Sequence, residues 1–192
     1  MLAGAGSGKT KVLTHRVAHF ISEGLIRPEN ALLLTFTNKA ANEMKGRIIS
    51  LLPFTVDLSP TVGTFHSFCA KILRIDGKSI GIPKNFIIYD EQDQKESVKE
   101  IMDSLNISTD QYAPSSILNG ISEAKNQMLT PAEYANLVRS DWQEVASKVY
   151  FEYEKNLKEI GALDFDDLLI KTVNLYHQVP EILERWQEKL TH

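Results

Sequence analysis

Cysteine and long apolar stretches are both nearly absent from this sequence. The single cysteine, Cys69, has no partner for an internal disulfide, as is usual for proteins of a reducing compartment. No segment contains the roughly 20 consecutive apolar residues of a membrane-spanning helix, and none has the pattern of a signal peptide. The sequence therefore predicts a cytoplasmic protein without a membrane span.

A net positive charge, which nucleic-acid-binding domains commonly carry, is also lacking, because the 192 residues have a formal charge of −4. The charge is unevenly distributed. Residues 1–80 contain 10 Lys and Arg against 5 Asp and Glu, whereas residues 81–192 contain 11 against 20. This asymmetry is compatible with a basic binding face on an acidic protein. It is equally compatible with chance and with acidic helices that face solvent.

Apolar residues make up 43% of the chain, enough for a hydrophobic core in one large domain or two small ones. In the first 80 residues they form a repeated strand–helix pattern. Short apolar runs at 31–36 and 61–65 are typical of strands buried in a parallel sheet, and each precedes apolar residues at helical spacing. Pro53 ends the first of these helices and Gly77 the second. The pattern predicts an α/β domain with right-handed crossovers.

The pattern changes near residue 90. Residues 86–89 are compatible with one more strand, but the following 75 or so residues contain apolar positions mainly at helical spacing. The segment from Thr130 to Glu133 has the capping-box pattern of a helix start, and a long helix is predicted to end near Gly161. The sequence therefore predicts an all-helical subdomain inserted into the α/β domain.

Three carboxylates, Asp164, Asp166 and Asp167, lie close together in the sequence. Such a group can bind a metal ion. It can also satisfy the backbone N–H groups in the first turn of a helix without any ligand. We favour the helix cap over the metal site.

A phosphate-binding loop is predicted at the start of the chain. Small residues allow backbone N–H groups to curl around a polyphosphate, a lysine reaches the β- and γ-phosphates, and the next hydroxyl ligates Mg²⁺. The segment fits this Walker A pattern, except that alanine replaces the first glycine, and comprises Ala3, Gly4, Ala5, Gly6, Ser7, Gly8, Lys9 and Thr10. A glycine-rich turn without a ligand is the less favoured alternative. The loop predicts ATP or another nucleotide as ligand but leaves the class of enzyme open.

Two further segments place an aromatic residue at the end of a predicted strand beside polar residues. Open α/β sheets bind ligands at the carboxyl ends of their strands, where a ring can stack on a base and a lysine can meet a phosphate. A phenylalanine in the hydrophobic core, followed by a basic helix that faces solvent, explains the first segment equally well. The candidate contact residues are Phe36, Thr37, Asn38 and Lys39 in the first segment and Thr64, Phe65 and His66 in the second.

Together these segments identify a family resemblance. Residues 3–10, 35–44 and 63–68 resemble motifs I, Ia and Ib of the UvrD/PcrA/Rep-type superfamily 1 DNA helicases. The likeness continues through residues 90–94, 121–126, 149–150 and 162–169, and so covers nearly the whole chain.

The resemblance implies a P-loop NTPase (RecA-like) parallel sheet with a helical insert. Residues 1–85 and 163–192 would form the ATP-binding subdomain 1A, and residues 86–162 the insert called 1B. We expect subdomain 1A to be incomplete at both ends, because little of the first strand precedes the loop. A segment Asp-Glu-x-Gln, which supplies a second magnesium ligand and the water-activating carboxylate, is not found in the 192 residues. The glutamine motif that reads adenine is not found either.

The implied activity is ATP hydrolysis coupled to 3′-to-5′ translocation on single-stranded DNA and to unwinding of duplex in repair or replication. Lys9 and Thr10 would hold phosphate and Mg²⁺, and Phe36 would stack on a base. Thr64, Phe65 and His66 would line the DNA track, whereas Thr37 and Asn38 would contact DNA or link it to the nucleotide. The implied partners are single-stranded and partially duplex DNA and a C-terminal motor domain.

Three hypotheses follow for the function. The favoured one is the N-terminal ATP-binding part of a DNA helicase, which by itself binds nucleotide without hydrolysing it. The second is a natural module that holds single-stranded DNA or nucleotide without turnover. The third is the motor part of a helicase–nuclease.

Overall fold

The computed structural model describes residues 8–52 and 60–192. The chain divides into two compact units. The first contains the described residues through Phe68 together with Val179–His192, and the second contains Cys69–Gln178. The sequence-based boundaries of the helical insert, at residues 86 and 162, stay a prediction.

The first unit contains two short parallel strands and the helices that follow or precede them. The strands pair in register, from Leu32 opposite Thr61 to Thr35 opposite Thr64. Their order along the chain confirms the predicted strand–helix repeat in an α/β arrangement. The elements are α1 (Lys9–Ser22), a 3-10 turn (Pro28–Asn30), β1 (Leu32–Thr35), α2 (Asn38–Leu51), β2 (Thr61–Thr64), the start of α3 (Phe65–Asp76), and α9 (Pro180–Lys189).

The core of this unit lies between α1, α2 and the β1–β2 pair. On α2, Ala41, Met44 and Ile48 recur at the spacing of one helix face, and all three are buried. Their partners from the rest of the unit are Ile21, Ile26, Ala31 and Leu33, with Val17, Phe20, Leu52 and Val62 packed at the edge. The first unit therefore has the hydrophobic core between strands and helices that an α/β arrangement requires.

The last residue of the chain pairs with the backbone beside β1. The N–H of Leu32 donates to the carbonyl of His192 at 2.9 Å, and the N–H of His192 donates to the carbonyl of Asn30 at 3.3 Å. The carbonyl of Ala31 accepts from Thr61 on β2. Because the C=O and N–H of one trans peptide point in opposite directions, His192 lies on the edge of β1 that faces away from β2.

The second unit is mainly helical, as expected for most of its length. Its elements are the end of α3, a 3-10 turn (Gly77–Ile80), β3 (Ile87–Ile88), α4 (Glu91–Ser104), α5 (Pro114–Asn126), α6 (Pro131–Ala135), α7 (Asp141–Ile160), β4 (Ala162–Leu163) and α8 (Phe165–Gln178). The two short strands pair in parallel, with Ile87 opposite Ala162. The core joins α4, α5 and α7 and includes Val98, Met102, Ile117, Ile121, Val149, Tyr153 and Leu157.

The helix starts in this unit follow local capping chemistry. Thr130 and Glu133 form the predicted capping box at α6, and Asp90 and Asp93 form another at α4. The long helix α7 ends at Gly161, whose φ of 72° lies in the left-handed region that glycine tolerates without strain. The capping box at α6 and the helix end at Gly161 were predicted, because such signals act within three or four residues of the helix end. The capping box at α4 was not predicted from the sequence.

No helix among the described residues has the length and apolar character needed to cross a membrane.

Candidate functional site

The carboxyl ends of β1 and β2 form one edge of the first unit. Because the strands are parallel and in register, Thr35 and Thr64 lie side by side as their last residues. The segments that follow, Phe36–Thr37 and the start of α3, therefore leave the sheet at the same edge. The sequence placed both candidate nucleic-acid segments at this position.

Two aromatic rings are exposed at this edge. Phe36 is 89% exposed and Phe65 is 45% exposed. Their ring centroids are 5.9 Å apart, with 41° between the ring planes, a distance typical of interacting aromatic pairs. The alternative interpretation of Phe36 as a core residue is wrong for this structure. The two rings form a continuous apolar surface that faces solvent, which we call the two-ring surface.

The polar residues after β1 open helix α2. The hydroxyl of Thr37 accepts a hydrogen bond from the N–H of Ala40 at 3.2 Å and so caps the helix. Asn38 and Lys39 are exposed in the first turn, where no acidic residue is found. The N-terminus of α2 and Lys39 thus follow Phe36 within three residues of the sequence.

The residues after β2 differ from the expectation in detail. Phe65 was predicted to end a strand, but it is the first residue of α3, because the Thr64 hydroxyl accepts from the N–H of Ser67 at 3.2 Å and starts the helix there. Thr64 itself is 8% exposed. Its hydroxyl is engaged in the helix cap, whereas Phe65 is exposed and His66 is half-buried.

The predicted phosphate-binding loop is described only at its end. Ala3 to Ser7 lie outside the described residues. Gly8 is the N-cap of α1 with φ of 79°, and Lys9 and Thr10 are exposed as the first residues of the helix. The first turn contains no acidic residue. An anion would meet positive potential here, since the first backbone N–H groups of a helix have no intrahelical partner.

The acidic cluster at the start of α8 is a helix cap joined to a buried ion pair. The N–H of Asp167 donates to Oδ1 of Asp164 at 2.8 Å, and the N–H of Asp164 donates to Oδ2 of Asp167 at 3.3 Å. This reciprocal pattern confirms the favoured cap. No group of three metal-ligating side chains is found in residues 8–52 and 60–192.

Sequence reasoning missed the partner of this cap, Lys125 of α5. Its side chain is 2% exposed, and its Nζ lies 2.7 Å from Asp164 and 3.2 Å from Asp167. A third carboxylate, Glu154 of α7, lies 2.6 Å away, and Lys171 of α8 lies 3.8 Å from both Glu154 and Asp167. No sequence pattern predicts such a buried ion-pair cluster, because a lysine on a helix is usually exposed.

The environment of this cluster shifts the pKa values of Lys125 and Asp167. Burial disfavours the charged form of Lys125, but Asp167, Asp164 and Glu154 outweigh it and hold the pKa of the lysine well above its usual range. Burial raises the pKa of Asp167 to about 6, against the opposing attraction of Lys125 and with repulsion from Asp164 and Glu154. The lysine is therefore charged at neutral pH, and the pKa of Asp167 lies near 6.

A cavity of about 600 Å³ lies in the second unit, beside Phe86, Lys158 and Lys171. Asp167 lines it, but among the residues that the structure describes none of the predicted nucleotide or DNA contacts does. It therefore lends no support to the predicted nucleotide or DNA contacts.

Comparison with known proteins identifies the class to which the chain belongs. Residues 1–192 match the UvrD/REP helicase N-terminal domain family, and the chain is a member of that family. It is 44% identical over 192 residues to the ATP-dependent DNA helicase PcrA of Leuconostoc citreum. It is 45% identical over 193 residues to the PcrA of Bacillus subtilis (strain 168), and 42% identical to that of Staphylococcus aureus (strain COL). In each case 100% of this chain aligns with 26% of the relative, so the chain spans about a quarter of their length.

Proposed function

We propose that this chain is the ATP-binding and single-strand-binding part of an ATP-dependent DNA helicase of the PcrA/UvrD type. The observation that carries the proposal is the pair of exposed rings, Phe36 and Phe65, at the shared carboxyl edge of two parallel strands. An open α/β sheet binds its ligands at such an edge. The relatives that align with the whole chain are named ATP-dependent DNA helicases.

The proposed nucleotide site lies at the start of α1. The proposed fold around it is a RecA-like parallel sheet. Three features of the described residues fit a triphosphate with Mg²⁺: a glycine N-cap, an exposed Lys9 and Thr10, and a first turn without acids. Lys9 would bind the β- and γ-phosphates, Thr10 would hold Mg²⁺, and the backbone N–H groups of residues 3–8 would bind the phosphates. The metal ion would neutralise phosphate charge.

The DNA track in this proposal runs along the edge that contains the two-ring surface. Phe36 stacks on a base, and Phe65 widens the apolar platform on which the base rests. Lys39 meets a phosphate, and Thr37, Asn38, Thr64 and His66 complete the lining of the track. Stacking on a ring is tolerant of sequence, since every base has a π-face. The expected binding is therefore strong in its salt dependence and weak in its sequence preference.

Translocation in the 3′-to-5′ direction and unwinding of duplex belong to this proposal for a protein of the relatives' length. The 192 residues contain no Asp-Glu-x-Gln segment to provide a water-activating carboxylate. The chain by itself is thus proposed to bind nucleotide and not to hydrolyse it.

The experiment that tests the proposal is replacement of Phe36 by alanine. Fluorescence anisotropy with a labelled thymidine oligomer should show a loss of ~1–3 kcal/mol in single-strand affinity. Phe151→Ala is the matched control, because Phe151 is also an exposed phenylalanine, on α7 of the second unit. It should leave the affinity unchanged.

Thermal unfolding of the same variants separates binding from stability. Phe36→Ala should melt close to the unaltered chain, since an exposed ring leaves no core cavity when it is removed. A variant that binds the oligomer as tightly as the unaltered chain would rule out the stacking role.

A further inference from the structure

The turn between β2 and α3 is closed by one hydroxyl. Oγ of Ser67 accepts from the N–H of Thr64 at 2.9 Å and donates to the carbonyl of Thr64 at 2.8 Å. In return, the N–H of Ser67 donates to the hydroxyl of Thr64 at 3.2 Å. A single serine therefore satisfies both backbone polar groups of Thr64, and three hydrogen bonds tie the last residue of the strand to the first turn of the helix.

Phe65 lies inside this closed turn. It is the first residue of α3 and stands between the two bonded residues, Thr64 and Ser67. The hydrogen bonds determine the backbone dihedrals of the turn and with them the direction of the Phe65 Cα–Cβ bond. That direction places the Phe65 ring 5.9 Å from the ring of Phe36.

Gly63, which immediately precedes Thr64, leaves room for the same hydroxyl. A Cβ atom added to Gly63 would lie 2.6 Å from Oγ of Ser67 but 3.9 Å from its Cβ. Two non-bonded atoms do not approach to 2.6 Å without displacement, whereas 3.9 Å is an ordinary van der Waals contact. An alanine at position 63 would therefore displace the serine hydroxyl from Thr64, while its Cβ would make an ordinary contact with the Cβ of Ser67.

We infer that Ser67 is a positioning residue for the two-ring surface and that Gly63 is the residue that makes its geometry possible. Neither contacts the base. Their effect passes through the Phe65 backbone, which they hold so that both rings present one surface to a stacked base. This inference rests on the proposed function for the role of the surface, but the positioning itself is a property of the free chain.

The first test examines the rings without DNA. In the unaltered chain, nuclear Overhauser effects between the Phe36 and Phe65 ring protons should be observable at this centroid separation. Ser67→Ala and Gly63→Ala should each weaken them. Ser67→Thr, which retains the hydroxyl at an exposed position, should preserve them. Unchanged ring contacts in folded Ser67→Ala would overturn the inference.

The second test is a double-mutant cycle on single-strand affinity. Ser67→Ala should weaken binding of a thymidine oligomer by about three- to tenfold, less than loss of a stacking ring, because the rings remain but lose their mutual direction. Gly63→Ala should have a similar effect. The double variant should be no weaker than either single one, since an alanine at 67 has no hydroxyl left to displace. Additive losses would contradict a shared mechanism.

Two controls separate positioning from general stability. Ser22→Ala removes a comparable bond, from the serine hydroxyl to the carbonyl of His19 at 2.9 Å at the end of α1, and should leave affinity unchanged. An oligomer containing 2-aminopurine reports stacking directly. At saturating protein, the quenching of the 2-aminopurine fluorescence should be smaller with Ser67→Ala than with the unaltered chain. With Ser67→Thr it should equal that of the unaltered chain. Full quenching in Ser67→Ala would overturn the role of the serine in presenting the rings.

The two proposals fail differently. If the unaltered chain does not bind the oligomer, or if Phe36→Ala binds normally, the proposed function fails, and the ring contacts in the free chain still decide the positioning. If the unaltered chain binds and depends on Phe36 while Ser67→Ala keeps its ring contacts, the positioning inference alone fails.

Discussion

The ammonium of Lys125 lies 2.7 Å from the carboxylate of Asp164, and both side chains are only 2% exposed. The ring of Tyr153 covers the same group, with the lysine nitrogen 5.3 Å from the ring centroid and the tyrosine hydroxyl donating to Asp164 at 3.1 Å. Burial and the nearby carboxylate of Asp164 raise the pKa of Tyr153, so its hydroxyl stays protonated as the donor. A buried lysine thus joins α5 to the start of α8 within the second unit.

Replacing Lys125 with methionine should strongly destabilise the protein. The substitution keeps the length of the side chain but leaves Asp164, Asp167 and Glu154 without their shared cation. Breaking a buried pair in this way costs about 3–5 kcal/mol of unfolding free energy. Lys148→Met is the matched control, because Lys148 pairs with Glu144 at 2.8 Å while both remain about 60% exposed. Its effect should stay below about 1 kcal/mol in urea unfolding, and equal losses for both variants would refute the argument.

The Asp167 carboxyl should make the stability of the chain depend on pH. Its pKa rises from 3.8 to about 6 on folding, so the folded state holds more protons between those values. The contribution of Asp167 to unfolding free energy is therefore largest below pH 4 and is lost as pH rises through 6, with a slope of up to ~1.4 kcal/mol per pH unit.

Asp167→Asn isolates this contribution, since other groups titrate in the same window. Subtracting the variant's curve of unfolding free energy against pH from that of the unaltered chain should leave a decline between pH 4 and 6. A rising difference for Asp167→Asn would mean that attraction by Lys125 outweighs burial.

Gly120→Ala should disturb the packing of α5 against α7. A Cβ at this position would lie 2.5 Å from Cη2 of Trp142, an atom of a rigid ring that cannot bend away. Overpacking of this kind costs about 1–3 kcal/mol. Gly46→Ala on α2 is the opposite case, because nothing lies within 4 Å of the added Cβ. It should stabilise the chain by about 0.5–1 kcal/mol through helix propensity. Thermal and urea unfolding should give the two changes opposite signs.

Lys9→Ala should weaken binding of Mg-ATP by about 10- to 100-fold, the loss typical of one charge-assisted hydrogen bond. Lys11→Ala, two residues further along α1 and also exposed, should bind almost normally. Isothermal titration with ATP and Mg²⁺ measures both. Phosphate release should stay at background in every variant and in the unaltered chain. Sustained hydrolysis by the 192 residues would contradict the proposed need for a further carboxylate.

Much of the fold was predictable because its signals are local. The capping box from Thr130 to Glu133 and the glycine stop at Gly161 act over three or four residues. The carboxyl-edge location of Phe36 and Phe65 follows from strand direction, which a strand–helix–strand repeat dictates. The pattern of small residues at 3–10 and the two aromatic segments likewise sufficed to place the chain in its family.

Tertiary contacts decided what no local pattern encodes. Lys125 contacts Asp164, which is 39 positions away in the sequence. Folding brings three carboxylates to its ammonium, and their attraction offsets the cost of burying the charge. The sequence does not distinguish Ser67 from the other polar residues of its motif. Only the structure shows that its hydroxyl bonds to Thr64 and lies in the space that a side chain at Gly63 would occupy. The exposure of Phe36 could not be predicted from the sequence either. A phenylalanine at the end of a strand can pack in the core or face a ligand, and only the packing around it determines which.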